Sequence, residues 1–343
     1  MIRWLILSIG LITGTAAIAA DPASKPLFAS TSPMRIAIEA PLAPLFSDRS
    51  SEVRVPGTLV DPAGNRLPIT VAMRGITRRT AEICDFPPLH IRFTTPPPPT
   101  SAFAGQGKLK LATHCRKAAS AETSLLLEHA AYRMFNRLSP KSIRTRLVTI
   151  DYRYPDGKAM IARPGFFIED LDDAARRNAT PRLRAGPKIP IADLNPRDAA
   201  LYGLFQHMIG NHDWSMRAGP MGKECCHNAE MIGWAGPGRA TPIPYDFDYS
   251  GLVGAPYAIP PEQLGLNSVK DRKYRGYCRH NDAVREVART IRASWPAVLA
   301  EFDSIPGLDG RARSTARSYL QGFYADIASD AAVETRLISR CVG

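Results

Sequence analysis

After a polar leader, the first half of the chain consists of short segments with the hydrophobic pattern of β-strands. The segment 61–65, with the sequence Asp-Pro-Ala-Gly-Asn, is typical of a turn, so the two segments that flank it are expected to pair as a hairpin. The prolines at 96–99 cannot continue a strand and are expected to loop out. The predicted strands are 53–60, 67–73, 89–93, 108–112, 146–154 and 159–168.

Apolar residues at helical spacing become prominent further along the chain. Ser139-Pro140 ends the first such pattern, while Asn195 and Pro196 have the character of a cap and a first residue for the second. The segment 176–190 is basic, rich in Pro and Gly and without periodicity, and we interpret it as the boundary between a strand-rich and a helical lobe. The predicted helices are 122–138, 196–209, 282–302 and 311–328.

The first 20 residues have the features of a cleavable secretory signal. Arg3 supplies the positive charge, residues 4–12 form an apolar stretch too short to span a bilayer, and small residues at 17–20 form a cleavage site. Cleavage after Ala19 or Ala20 would place the mature protein in the periplasm or outside the cell. No later segment has the length and apolarity of a transmembrane helix, so we expect no membrane span.

The charge balance favours an anionic partner. Lys and Arg number 44 against 32 Asp and Glu, for a formal net charge of +12. The basic residues are scattered rather than gathered in one run with interleaved aromatics, which argues against nucleic-acid binding.

Six cysteines, an even number in an exported chain, predict two or three disulfides. Their pairing cannot be read from the sequence, since six cysteines allow about fifteen arrangements. Cys225 and Cys226 are adjacent, and we expect them to pair outward because neighbouring residues meet disulfide geometry only with strain. A zinc site made of these two and His227 is the alternative, but it lacks the CxxC spacing of zinc-binding pairs.

Three polar residues in the second half suggest phosphoryl transfer. That reaction needs an aspartate to hold the acceptor hydroxyl, and an Asn and an Asp to hold Mg²⁺ on the phosphates. Asp213, Asn228 and Asp246 supply this set in that chain order. The alternative is that these residues are caps and turn formers, which is the commoner use of Asp and Asn.

A second enzymatic interpretation rests on the segment Gly-Asn-His-Asp at 210–213, which calcineurin-like metallophosphoesterases carry at a two-metal site. Two divalent ions need several further His and Asp ligands. The chain has seven histidines, no Asp-x-His before this segment and no Gly-His-x-His after it, so the match is a fragment.

The first half adds a lysine and glutamate arrangement known from kinases. Lys108 and Lys110 lie on one face of a predicted strand, and Glu128 follows on an amphipathic helix. In kinases a strand lysine contacts the phosphates and is held by a helix glutamate. The chain resembles the CotH-like family of secreted, atypical protein kinases. Three segments carry the resemblance, namely the Glu-initiated helix at 128–136, the strand at 166–170 and a Pro-Tyr-Asp-Phe-Asp segment at 244–248, in which Tyr245 replaces the family's Trp.

The resemblance implies a two-lobed protein-kinase-like α+β fold. Residues 21–175 would form the strand-rich N-lobe and residues 176–343 the mainly helical C-lobe. The implied function is ATP- and Mg-dependent phosphorylation of a secreted or surface protein. The alternative is a non-catalytic binding module, a pseudokinase, that holds an anionic partner.

The resemblance also assigns roles to single residues. Because Asp213 and Asn228 are fifteen positions apart, where an ordinary kinase loop has about five, the segment 216–226 is expected to loop out. The implied roles are Lys110 as phosphate-binding lysine with Lys108 as alternate, Glu128 as its partner, Asp213 as catalytic aspartate, Asn228 and Asp246 as metal ligands, and Asp248 as a further ligand or a group that supports them.

Overall fold

The structure of the chain is a computed structural model that describes residues 24–50, 52–220 and 223–343. The predicted secretory signal lies outside the described residues. None of the helices in the described ranges is long and apolar enough to cross a membrane.

Seven strands in the first half close into a barrel. The order around the barrel is β1-β2-β3-β4-β5-β7-β6, and β1 completes the circle by pairing antiparallel with β2 and parallel with β6. The predicted hairpin is confirmed, since β2 and β3 pair antiparallel across the turn. The strands are β1 (Met34–Glu39), β2 (Arg54–Val60), β3 (Arg66–Met73), β4 (Leu89–Phe93), β5 (Lys108–Thr113), β6 (Thr145–Arg153) and β7 (Ala159–Ile168).

The described part of the chain also contains eight α-helices and a second, two-stranded sheet. The Asn195 side chain accepts a hydrogen bond from the Asp198 amide and caps α5, as predicted. The helices are α1 (Pro26–Ala29), α2 (Leu42–Asp48), α3 (Ala119–Leu138), α4 (Leu171–Arg177), α5 (Pro196–Ile209), α6 (Asn281–Asp303), α7 (Gly310–Ile327) and α8 (Asp330–Arg336), and the small sheet pairs β8 (Ala229–Gly233) with β9 (Ala240–Pro244).

The prediction of a two-lobed kinase-like fold with a helical C-lobe is wrong. The strands form a closed barrel, and the helix between β5 and β6 packs both against the barrel strands and against helices of the second half. Residues of α3 such as Leu126 and Phe135 share one hydrophobic core with α5, α6 and α7. Since the apolar face of α3 is buried against helices from the second half, the two halves do not divide into a strand-rich and a helical lobe.

All six cysteines form disulfides, and the three bridges confirm the prediction of two or three. One bridge joins Cys84 to Cys115 and another joins Cys278 to Cys341. The expectation that Cys225 and Cys226 pair outward is wrong, because the other four cysteines pair among themselves and these two bridge each other. Their sulfurs are therefore not thiolates, which removes the basis for the zinc alternative.

Candidate functional site

A cavity of about 590 Å³ opens where the barrel meets the β8–β9 hairpin; we call it the cleft. Lys110 on β5 and Arg74, just after β3, line it from the barrel side. The structure brings five of the seven predicted site residues to its wall, and Lys108 and Glu128 are not among them. The five are Lys110, Asp213, Asn228, Asp246 and Asp248.

A short backbone ladder places Asp213 beside Asn228. The amides of Ser215 and His227 each donate to the other residue's carbonyl, at 2.9 and 3.1 Å. This pairing brings the two ends of segment 216–226 together, and its described residues, 216–220 and 223–226, belong to no helix or named strand, which agrees with the predicted loop. Asn228 Nδ2 then donates to the Asp213 carbonyl oxygen at 2.7 Å and to Oδ2 at 3.0 Å. The amide therefore fixes the orientation of the carboxylate.

His227 is a cleft residue whose part in this cluster the sequence analysis missed. Its Nε2 lies 2.6 Å from Asp213 Oδ1, and both side chains are partly exposed. The hydrogen bond to this carboxylate raises the pKa of His227 above its ordinary 6.5. The two residues form an acid–base pair that faces the cleft.

A buried guanidinium joins three carboxylates at the base of the cleft. Arg78 Nη1 lies 3.3 Å from Glu128 Oε2, Nη2 lies 3.2 Å from Asp246 Oδ1, and Nε lies 3.2 Å from Asp248 Oδ2. The Tyr257 hydroxyl also donates to Asp248 at 3.0 Å. Burial raises the pKa of Glu128 to about 8 and that of Asp248 to about 6. Three acidic side chains thus share one cation, and Glu128 holds its proton up to a higher pH than an exposed glutamate does.

The expected ion pair between a strand lysine and Glu128 does not form, so that prediction is wrong. Lys108 Nζ pairs with Asp170 at 3.2 Å, and Glu128 pairs with Arg78. Lys110 makes no ion pair within 4.0 Å in the described part of the chain, and desolvation lowers its pKa. Arg78 takes the glutamate because the segment between β3 and β4 passes over α3 at this point. Lys110 is left facing the cleft.

Two cleft residues adopt left-handed backbone at the open end of the β8–β9 hairpin. Asn228, just before β8, has a φ of 49°, and Asp246, just after β9, has a φ of 60°. The Tyr245 amide donates to the Asn228 carbonyl oxygen at 3.3 Å and closes this end. Asn and Asp tolerate left-handed backbone better than other residues with a Cβ, and such backbone recurs at functional sites. Here it presents two oxygen-bearing side chains to the cleft.

The cleft can supply part of a magnesium shell. No group of three or more His, Cys, Asp or Glu side chains in the described ranges is arranged to hold a metal ion. Mg²⁺ that accompanies phosphates usually takes only one or two protein carboxylates. In the described part of the chain, hydrogen bonds involve Oδ1 of Asp246 but neither its Oδ2 nor Oδ1 of Asn228. Asp246 Oδ2 and Asn228 Oδ1 can therefore serve as the protein ligands of such a Mg²⁺ ion.

No family model and no curated protein matches this chain. The resemblance to the CotH-like family therefore rests on the segments quoted above. The function of the cleft has to be inferred from its own side chains. Those on the barrel side are cationic, and those on the hairpin side carry oxygen atoms that can bind a metal ion.

We expect the His227 pKa, measured by NMR titration of its ring protons, to lie above 6.5. The charged pair with Asp213 forms below the folded-state pKa and is lost as the pH rises through it, so its contribution to stability is greatest in mild acid. Asp213→Asn removes the charge and should lower the pKa, since the partial burial of the ring then dominates. An unchanged pKa in that variant would contradict the pairing.

Proposed function

We propose that the chain is an exported, Mg-dependent phosphotransferase that transfers the terminal phosphoryl group of ATP to a secreted or surface protein. One observation carries the proposal. Lys110 on the barrel and Asp246 after the hairpin are more than a hundred residues apart in the sequence, yet they line one cleft with Asp213 and Asn228. A phosphate-bearing ligand with Mg²⁺ requires such a combination of cations and oxygen donors.

Each group has a defined task in this proposal. Lys110 and Arg74 would bind phosphate oxygens, and Asp246 and Asn228 would hold the magnesium ion, which neutralises phosphate charge when bound. Asp213 would orient the acceptor hydroxyl and take up its proton, while the hydrogen bond from His227 would hold the carboxylate in place. The predicted export signal and the three disulfides favour a periplasmic or secreted location.

The alternative is a binding module that holds an anionic partner without catalysis. Both carboxylate oxygens of Asp213 already accept hydrogen bonds, from His227 and from Asn228. Arg78 likewise neutralises part of the charge on Asp246. In this alternative the cations at the rim, among them Lys223, would bind the partner. ATP is also scarce outside the cytoplasm, which favours this alternative.

Chemical unfolding with and without Mg·ATP distinguishes the two. A ligand at a hundred times its dissociation constant stabilises the folded state by about 2.7 kcal/mol. The phosphotransferase predicts such a shift with Mg·ATP and none with Mg²⁺ alone. An equal shift with pyrophosphate in the absence of Mg²⁺ supports the binding module. No shift at millimolar Mg·ATP would contradict the proposed enzyme.

A further inference from the structure

A second, smaller cavity lies behind Arg78; we call it the inner pocket. Its volume is about 270 Å³, and it shares Arg78 and Asp248 with the cleft. The first turns of α3 form one wall. Much of the remaining lining is apolar and includes Ile83, Leu125, Val253, Ala255 and Pro256.

Glu128 borders this pocket with an unsatisfied oxygen. The side chain is 2% exposed, and its Oε2 faces Arg78. Its Oε1 is buried and has no hydrogen-bond partner within the described residues. A buried acceptor without a donor destabilises the folded state, so a native structure is expected to provide one. A ligand in the pocket can supply this hydrogen-bond donor.

The charge of the wall favours a cationic donor. The lining contains three acidic side chains, those of Glu82, Glu128 and Asp248, and two basic ones, those of Arg78 and Arg116. Arg78 pairs with Glu128 and Asp248, and the Arg116 guanidinium donates to two backbone carbonyl oxygens. The lining therefore has one acidic side chain more than it has basic ones.

We propose that the inner pocket binds a small molecule with a one-ring apolar body and one primary ammonium group, which pairs with Glu128. The volume lies just below the range of about 300–1,000 Å³ that accommodates drug-sized ligands, so one ring with a short chain fits. The apolar lining receives the ring, and the ammonium group supplies the donor that Oε1 lacks. This inference does not depend on the proposed phosphotransferase activity.

The probes are 2-phenylethylamine and its neutral counterpart 2-phenylethanol, with binding to the full-length mature protein measured by calorimetry at about pH 9, where Glu128, with its pKa of about 8, is ionised. Charge-assisted hydrogen bonds contribute about 1.5–3 kcal/mol, so the amine should bind roughly 10- to 100-fold more tightly than the alcohol. Equal affinities, or no binding of the amine, would overturn the proposal.

Two variants locate the binding. Ala121→Leu places a larger side chain in the inner pocket and should abolish binding of the amine. Ala119→Leu is the matched control, because Ala119 lies on the same helix, is exposed and is not part of the lining. Glu128→Gln should remove the preference for the amine over the alcohol. Amine binding that survives Ala121→Leu would refute the site even if Glu128→Gln does not fold.

Discussion

Replacement of Arg78 by methionine is expected to lower the free energy of unfolding by about 3 to 5 kcal/mol. Arg78 is the buried cation that faces Glu128, Asp246 and Asp248. Methionine has a similar length but no charge, so it leaves these carboxylates without their counter-ion. Urea denaturation of the parent and the variant, followed by circular dichroism, measures the difference.

Arg35→Met is the control for this experiment. Arg35 also pairs with a carboxylate, that of Asp151, but its side chain is 65% exposed. An exposed pair contributes about 0–1 kcal/mol, so the control should stay within that range. A loss of the same small size for Arg78→Met would show that the buried cluster does not stabilise the fold.

The cost of Arg78→Met should also depend on pH. In the folded parent the pKa values of Glu128 and Asp248 are raised to about 8 and about 6, from 4.5 and 3.8. When folding raises the pKa of an acid, the folded state loses stability as the pH rises from the pKa of the unfolded state to that of the folded state. Without Arg78 the folded-state pKa values of both acids rise further, so this loss of stability becomes larger. The loss should therefore be smaller at about pH 5 than at about pH 9.

Asp246→Ala is expected to abolish the stabilisation by Mg·ATP, a loss of about 2.7 kcal/mol at a hundred times the parent's dissociation constant. This prediction rests on the proposed function, in which Asp246 holds the magnesium ion. Asp213→Asn should keep the stabilisation and slow phosphoryl transfer by about 10²- to 10⁴-fold, since an acceptor-orienting group acts mainly in the transition state. Transfer is measured with ³²P-labelled ATP.

Asp151→Ala serves as the control because it removes an aspartate that pairs with Arg35 and does not line the cleft. It should change neither nucleotide binding nor transfer. The free energy of unfolding without nucleotide has to be measured for each variant, since Asp246 also pairs with Arg78. A full Mg·ATP response in Asp246→Ala would exclude Asp246 as a metal ligand.

Elements with local signals were predictable from the sequence. The hairpin of β2 and β3 has its turn residues between two alternating segments, and α5 has its cap and its proline in adjacent positions. The long α3 has an apolar stripe and a Ser-Pro stop. In each case the residues that determine the element lie within about twenty positions of each other.

Closure of the barrel was not predictable in this way. The strand β1 lies within the segment interpreted as a polar leader, and four of its six residues are buried, so it shows little alternation. It closes the barrel by pairing Met34 with Val148, more than a hundred residues away. Parallel pairing at that separation depends on everything that folds between the two strands.

The residues of the candidate site also fall into two groups, those that the sequence could indicate and those that it could not. Asp213, Asn228 and Asp246 could be selected because their order matches a known chemistry. Arg78 and His227 could not, since Arg78 is one of 44 basic residues and only tertiary packing buries it among carboxylates. His227 gains its partner from a backbone ladder that the sequence does not reveal.

The closed barrel has a consequence for behaviour in a crowded compartment. Each of its seven strands has hydrogen-bonded neighbours on both sides. Strands with a free side recruit strands of other molecules, which is a common route to aggregates and fibrils. The barrel offers no such template, and one edge of the small hairpin is partly covered by a bridge from Arg182 to Ile232. Stored at high concentration, the folded protein should resist association by strand addition.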